Sequence, residues 1–136
     1  MSEGNKAVVR RYIDEVMNDK NFSVYNDLFS PDFANHSPRL GVVGREHTAQ
    51  ETKAFMTSFP DWHTTIDHMV AEGDKIVVVR TVRGTHEGQV QGVPIAPTGK
   101  QITWTVWDMF RISNGQIAER WGIHNLKDQV EAAARE

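Results

Sequence analysis

The chain contains no cysteine. Disulfides, thiolate metal sites and a cysteine nucleophile are therefore excluded. No apolar run approaches the roughly 20 residues of a membrane-spanning helix, so no membrane partner is expected. Charge of neither sign dominates: the formal net charge is −3. A dedicated nucleic-acid binder carries a basic excess that is missing here. There is no GxSxG elbow, no GxxxxGK[ST] loop and no GxGxxG fingerprint, which argues against nucleophilic acyl transfer, nucleotide hydrolysis and dinucleotide binding. The opening residues, MSEGNKAVVRRY, hold no signal-peptide hydrophobic region. The simplest expectation is a cytoplasmic protein.

What is present is ordinary in bulk and unusual in detail. With 136 residues, 39% hydrophobic and 24% charged, the chain suits a single domain, residues 1–136. A domain of this size buries about two-thirds of its unfolded surface and needs no staple. The unusual detail is four Trp, six Phe and six His in so short a chain. That many large rings suggests that some of them line something.

Val8, Val9, Tyr12, Ile13, Val16 and Met17 recur at helical spacing and predict a first helix. Ser23 is placed to cap a short second helix burying Val24, Leu28 and Phe29, closed by Ser30-Pro31. Phe33 to Ser37 reads as a short extended stretch, and Leu40 to Gly44 as a loop. A third helix runs from about Arg45 to Phe59 and stops at Pro60. The period then changes to two. Trp62 to Glu72, Lys75 to His86, Gln101 to Ile112 and Gln116 to Asn125 read as strands. Asn114-Gly115 is a strong hairpin signal, because both residues tolerate positive φ. Gly92 to Gly99 reads as a loop, and the tail after Leu126 as a short helix. Helices followed by a four-stranded antiparallel meander predict an α+β fold, a curved sheet with helices packed on one side.

Six His invite a metal reading. No pair has the i, i+4 spacing of a helical zinc motif, and there is no HExxH. His63 and His68 lie an odd number apart on one strand, so they face opposite ways. A site assembled from distant strands is the remaining alternative; no metal and no cofactor are expected.

The sharper signal is on the third long strand. Alternation puts Trp104, Val106, Asp108, Phe110 and Ile112 on one face. A carboxylate among apolar side chains is costly to bury and tends to take up a proton. Protonated, it can donate a hydrogen bond to a substrate oxygen. The alternatives are an exposed Asp, or one paired with Arg80 or Arg120. On the second long strand Arg80 and His86 share a face with Val78 and Val82. On the last, Glu119, Trp121, Ile123 and Asn125 are expected on one face, and Arg120, Gly122 and His124 on the other. Tyr12 sits on the apolar stripe of the first helix, where its hydroxyl needs a partner.

Several elements occur together in order: Phe59-Pro-Asp-Trp62, Gly84-Thr-His-Glu-Gly88, Pro97-Thr-Gly-Lys100, Asp108-Met-Phe-Arg-Ile112, Asn114-Gly-Gln-Ile117 and Glu119-Arg-Trp121. As a set they resemble the SnoaL-like polyketide cyclase family, within the nuclear transport factor 2-like (ketosteroid isomerase-like) superfamily. The resemblance implies a cone-shaped sheet wrapped around the helices, a deep apolar pocket, cofactor-free chemistry and a homodimer through the outer face of the sheet. The carboxylate that serves the cyclases as acid/base falls at Asn125, which cannot exchange a proton. By resemblance to the ketosteroid isomerase branch, Arg11-Tyr12 and Asp108 match an oxyanion-binding pair, and the usual base position falls at Ser37, beside His36.

The resulting expectation is a small enzyme moving a proton next to the carbonyl of a small apolar ligand, by cyclisation or isomerisation. Tyr12 and Asp108 would stabilise the oxyanion. His36, with His86, would move the proton, since an imidazole titrates near neutral pH. Trp62, Phe55, Trp104 and Trp121 are the expected pocket walls, with Arg80 and Asn125 as further ligand contacts. The rival expectations are a binding protein of the same fold that does no chemistry, and a domain used for dimerisation.

Overall fold

A computed structural model describes residues 2–136. The first helix, α1 (Ser2–Arg11), continues into a π-helical stretch, Tyr12–Asn18. There the Asp19 N–H donates to the Asp14 carbonyl at 3.0 Å, a five-residue step. Such widening frees main-chain groups and is common near functional sites. Here Trp62 Nε1 donates to the Met17 carbonyl at 2.9 Å. Asn18 completes the junction by donating to the Thr64 carbonyl and accepting from the Thr64 N–H, both at 2.9 Å.

A short helix, α2 (Tyr25–Leu28), leads directly into β1 (Phe29–Ser37), followed by β2 (Gly41–Val43) and α3 (Arg45–Ser58). Four long strands follow: β3 (His63–Glu72), β4 (Lys75–Thr85), β5 (Gln101–Ser113) and β6 (Gln116–His124). A final helix, α4 (Leu126–Ala134), buries Leu126 and Val130. Among the described residues, no helix is long and apolar enough to cross a membrane.

The fold is α+β, and the expected meander is present, closed by Asn114 and Gly115 at positive φ. The sheet is larger than the meander, however. It has six strands in the order β2-β1-β6-β5-β4-β3. β1 runs parallel to β6, so this curved, unclosed sheet is mixed and not purely antiparallel. Phe29 belongs to β1 and not to a helix. Pro31 hides the strand, because a residue without an N–H weakens a strand reading, and the β1–β6 register does shift between Phe29 and Ala34.

β6 also turns the opposite face inward from the one expected. Arg111 pairs with Glu119 while its neighbour Ile112 pairs with Ile117, which leaves Ala118 as a bulge. One extra residue reverses the parity downstream. Arg120 therefore joins Ile117 on the concave side, and Glu119 and Trp121 face out. The concave face packs against α1 and its π-helical continuation. Val9, Ile13, Val16, Phe59, Ile76, Val78 and Phe110 are fully buried there.

Candidate functional site

Between the concave face and the helices lies a cavity of about 330 Å³. β4, β5 and β6 supply Arg80, Val82, Trp104, Val106 and Arg120. Tyr12 and Met17 enter from the π-helical stretch, and Thr48, Thr52 and Phe55 from α3. Trp62, at the head of β3, closes one end. Val90, Gln91, Gly92 and Val93, from the loop after β4, border the opening with Arg39, Glu51, His124 and Lys127. Arg39 and Glu51 pair at 3.2 Å.

Beneath the wall sits a charged triad. Asp108 is 1% exposed. Its Oδ2 accepts from Arg80 Nε and its Oδ1 from Arg120 Nε, each at 2.8 Å. The register explains the geometry. Asp108 pairs with Val78 on one side and Gly122 on the other, so Arg80 and Arg120 approach diagonally from both neighbouring strands. Burial alone would raise the Asp108 pKa; the two guanidiniums outweigh it and hold the carboxyl below its ordinary value. The expectation of a protonated, hydrogen-bond-donating Asp108 is thereby overturned, and the paired alternative holds. Arg120 Nη1 also donates to Asn35 Oδ1 at 3.1 Å, and Asn35 Nδ2 to Thr48 Oγ1 at 3.3 Å. Asn35 thus ties β1, β6 and α3 together at the cavity wall.

Two titratable groups on the lining differ in readiness. Burial raises the Tyr12 pKa against the pull of Arg80 and Arg120, so the phenol stays neutral and able to donate. His124 is exposed at the cavity mouth, and partial desolvation together with the nearby Arg120 and Arg80 lowers its pKa. His124 is therefore neutral at neutral pH and carries a lone pair. Its Nδ1 accepts from the Leu126 N–H at 3.3 Å, long enough to be given up cheaply. Phe55 meets its ring edge to face, centroids 6.4 Å apart.

Of the residues singled out in the sequence, the structure brings Tyr12, Phe55, Trp62, Arg80 and Trp104 together on the lining, with Asp108 behind them. Four others lie elsewhere. His36 is on the outer face, donating from Nε2 to Glu119 Oε2 at 2.6 Å. It stacks on Trp121 at 4.9 Å between centroids, so Trp121 is also outside. The reason is parity. Phe33 and Asn35 point into the core, so His36, three residues past Phe33, points out. His86 is 0% exposed but lies outside the lining. It stacks on Phe59 and accepts at Nδ1 from the Thr98 N–H at 3.1 Å, pinning the loop that borders the cavity. Asn125 Oδ1 accepts from the Thr105 N–H at 2.8 Å, a tether between the end of β6 and β5. Arg120 and His124 share the face opposite Trp121, as expected, and that face, not the Trp121 face, lines the cavity; Asn35 and Glu51 were not singled out. The sequence signal for Arg120 is Gly122: a Cβ there would collide with the Arg120 guanidinium.

The profile of the SnoaL-like polyketide cyclases matches residues 7–132. The chain belongs to that family. A SnoaL-like protein from Jannaschia sp. CCS1, proposed to be a polyketide cyclase, superposes with a TM-score of 0.88 at 22% identity over 100% of this chain and 95% of that one. IdmH from Streptomyces antibioticus, also proposed to be a polyketide cyclase, gives 0.83 at 23% identity over 97% and 99%. AclR from Streptomyces galilaeus, proposed to be a hydroxylase, gives 0.85 at 23% identity over 100% and 88%. No curated sequence matches significantly. At such identities the likenesses establish the SnoaL-like fold. The cyclase-like function follows from the family, and the chemistry must be argued from this chain's own cavity.

Proposed function

We propose that this SnoaL-like protein is an enzyme that moves a proton next to the carbonyl of an apolar compound, in an aldol-type ring closure or isomerisation. The observation that carries the reading is His124, a neutral imidazole on the cavity lining within the field of two guanidiniums. His124 takes the proton from the carbon beside the carbonyl. The C–H electron pair passes to the enolate, whose oxygen accepts from the Tyr12 hydroxyl. Arg80 and Arg120 stabilise the developing negative charge. For ring closure, the enolate carbon attacks a second carbonyl of the same molecule, and the alkoxide formed takes the proton back from the His124 imidazolium. The nearby cations make that imidazolium a ready acid, which favours the return. Asp108 exchanges no proton; it holds the two guanidiniums in place.

A second reading is a binding protein that does no chemistry. It is favoured by Asn125, which stands where the family's acid/base carboxylate falls and is occupied as a tether. One experiment separates the two. Acetonaphthone is incubated with the protein in deuterated buffer, and loss of its methyl protons is followed by NMR. Exchange above buffer supports the enzyme; binding without exchange supports the binding protein. We also propose a homodimer through the outer sheet face, where Trp107 and Ile123 pair across β5 and β6 and are 54% and 64% exposed.

A further inference from the structure

The cavity holds more positive charge than the protein neutralises. Arg39, Arg80, Arg120 and Lys127 line it. They face two carboxylates, Glu51 at the rim and Asp108 beneath the wall. The excess is local, because the whole chain is acidic, at −3.

Arg80 shows where the excess is directed. It is 5% exposed. Its Nε donates to Asp108 and its Nη1 to Thr64 Oγ1 at 3.3 Å. Its Nη2 has no acceptor among the described residues. Among those residues the fully buried side-chain polar atom without a partner is His86 Nε2. Arg80 Nη2 is therefore not sealed in the core, and Arg80 is a residue of the cavity lining. A guanidinium N–H in a nearly dry wall is poorly satisfied until an acceptor arrives, and a carboxylate is the acceptor it binds best. The rest of the wall near it is apolar or aromatic: Val82, Trp104, Val106 and Phe55.

We propose that the ligand is an apolar keto acid, bound as its carboxylate by Arg80 Nη2. The ketone half of this assignment rests on the proton-transfer reading above, which places a carbonyl oxygen at Tyr12. The carboxylate half rests on Arg80 and the charge excess alone. The ligand then presents two oxygen groups to the wall formed by Tyr12 and Arg80, and its ring body to the apolar surface. An acyl chain released from its carrier as the free acid has this chemistry, so the reaction that supplies the substrate would be an ester or thioester hydrolysis.

The test uses three probes on the full chain near neutral pH: β-naphthoylpropionate, its methyl ester, and acetonaphthone, with affinities from calorimetry. The acid is expected to bind about tenfold or more tighter than the ester, with the preference falling as salt is raised. Arg80→Lys keeps a cation beside Asp108 but loses the planar fork; it should abolish the preference. Equal affinity of acid and ester overturns the proposal, as does a preference that survives in a folded Arg80→Lys, or binding of none of the three probes. Should the variant fail to fold, the wild-type comparison of acid, ester and salt decides. Failure here is distinguishable from failure of the enzyme reading. Deuterium exchange into the ketone without acid preference leaves the enzyme and removes the keto acid. Acid preference without exchange leaves the carboxylate contact at Arg80 and removes the enzyme reading together with the ketone half that rests on it.

Discussion

The Arg120 guanidinium folds back over Gly122 to reach Asp108, in space that a Cβ at position 122 would occupy. Glycine is needed there for room and not for backbone freedom. Gly122→Ala should push the guanidinium off the carboxylate and lower stability by about 1–3 kcal/mol, read by denaturant unfolding. Arg120→Met added to Gly122→Ala should cost little more, because the collision partner is gone. Additive losses would refute the collision.

Asp108 anchors the triad, and its removal should act on folding first. Asp108→Leu leaves two buried guanidiniums without their counter-ion and should cost about 3–5 kcal/mol. Replacing all three, with Arg80→Met and Arg120→Met, should recover most of that loss while abolishing proton exchange. A fully stable Asp108→Leu single variant would show that the pairing carries no weight.

Acid should destabilise the fold through its buried imidazole, His86. Burial lowers the His86 pKa; the backbone at Gly88 opposes this more weakly. The unfolded chain therefore binds a proton before the folded one does as pH falls. This contribution is complete above the ordinary imidazole value of about 6.5 and declines below it, at no more than about 1.4 kcal/mol per pH unit. The decline levels off below the folded-state pKa. Urea unfolding across this range should show the slope, and His86→Gln should flatten it. An unchanged slope in His86→Gln would assign the effect elsewhere, to His124 first.

The outer face predicts association. Trp107, unlike its cross-strand neighbour Ile123, is not on the cavity lining, so Trp107→Lys places a charge in the exposed pair without altering a lining residue. Sedimentation should find a dimer for the native chain and a monomer for the variant, with probe binding unchanged. A monomeric native chain would remove the dimer.

Much of the fold was legible in the sequence, and less of the site. Alternation on β4 and β5 correctly put Arg80, Trp104, Val106 and Asp108 on one buried face. It could not say which partner Asp108 takes, because that depends on the register with strands far away in sequence. β1 was obscured by Pro31 and by its polar end. Its extended end, Phe33 to Ser37, was legible, but its membership of the sheet was not, and only a buried Phe33 in that sheet sends His36 outward by parity. β6 misled in the opposite way. Its alternation is clear, but the bulge at Ala118 turns Trp121 out and Arg120 in, and a bulge leaves no mark in a hydrophobicity pattern. His124, the residue the proton-transfer reading most depends on, was discounted for that reason alone.

The most direct test compares His124→Gln and His36→Gln in the acetonaphthone exchange assay, across pH. The native profile should rise through a pKa below the ordinary imidazole value and then stay flat, because His124 must be neutral to accept the proton. His124→Gln should lose about 100-fold or more, and His36→Gln should stay within about threefold of the native rate. Full exchange by His124→Gln, or a loss confined to His36→Gln, would contradict proton transfer by His124.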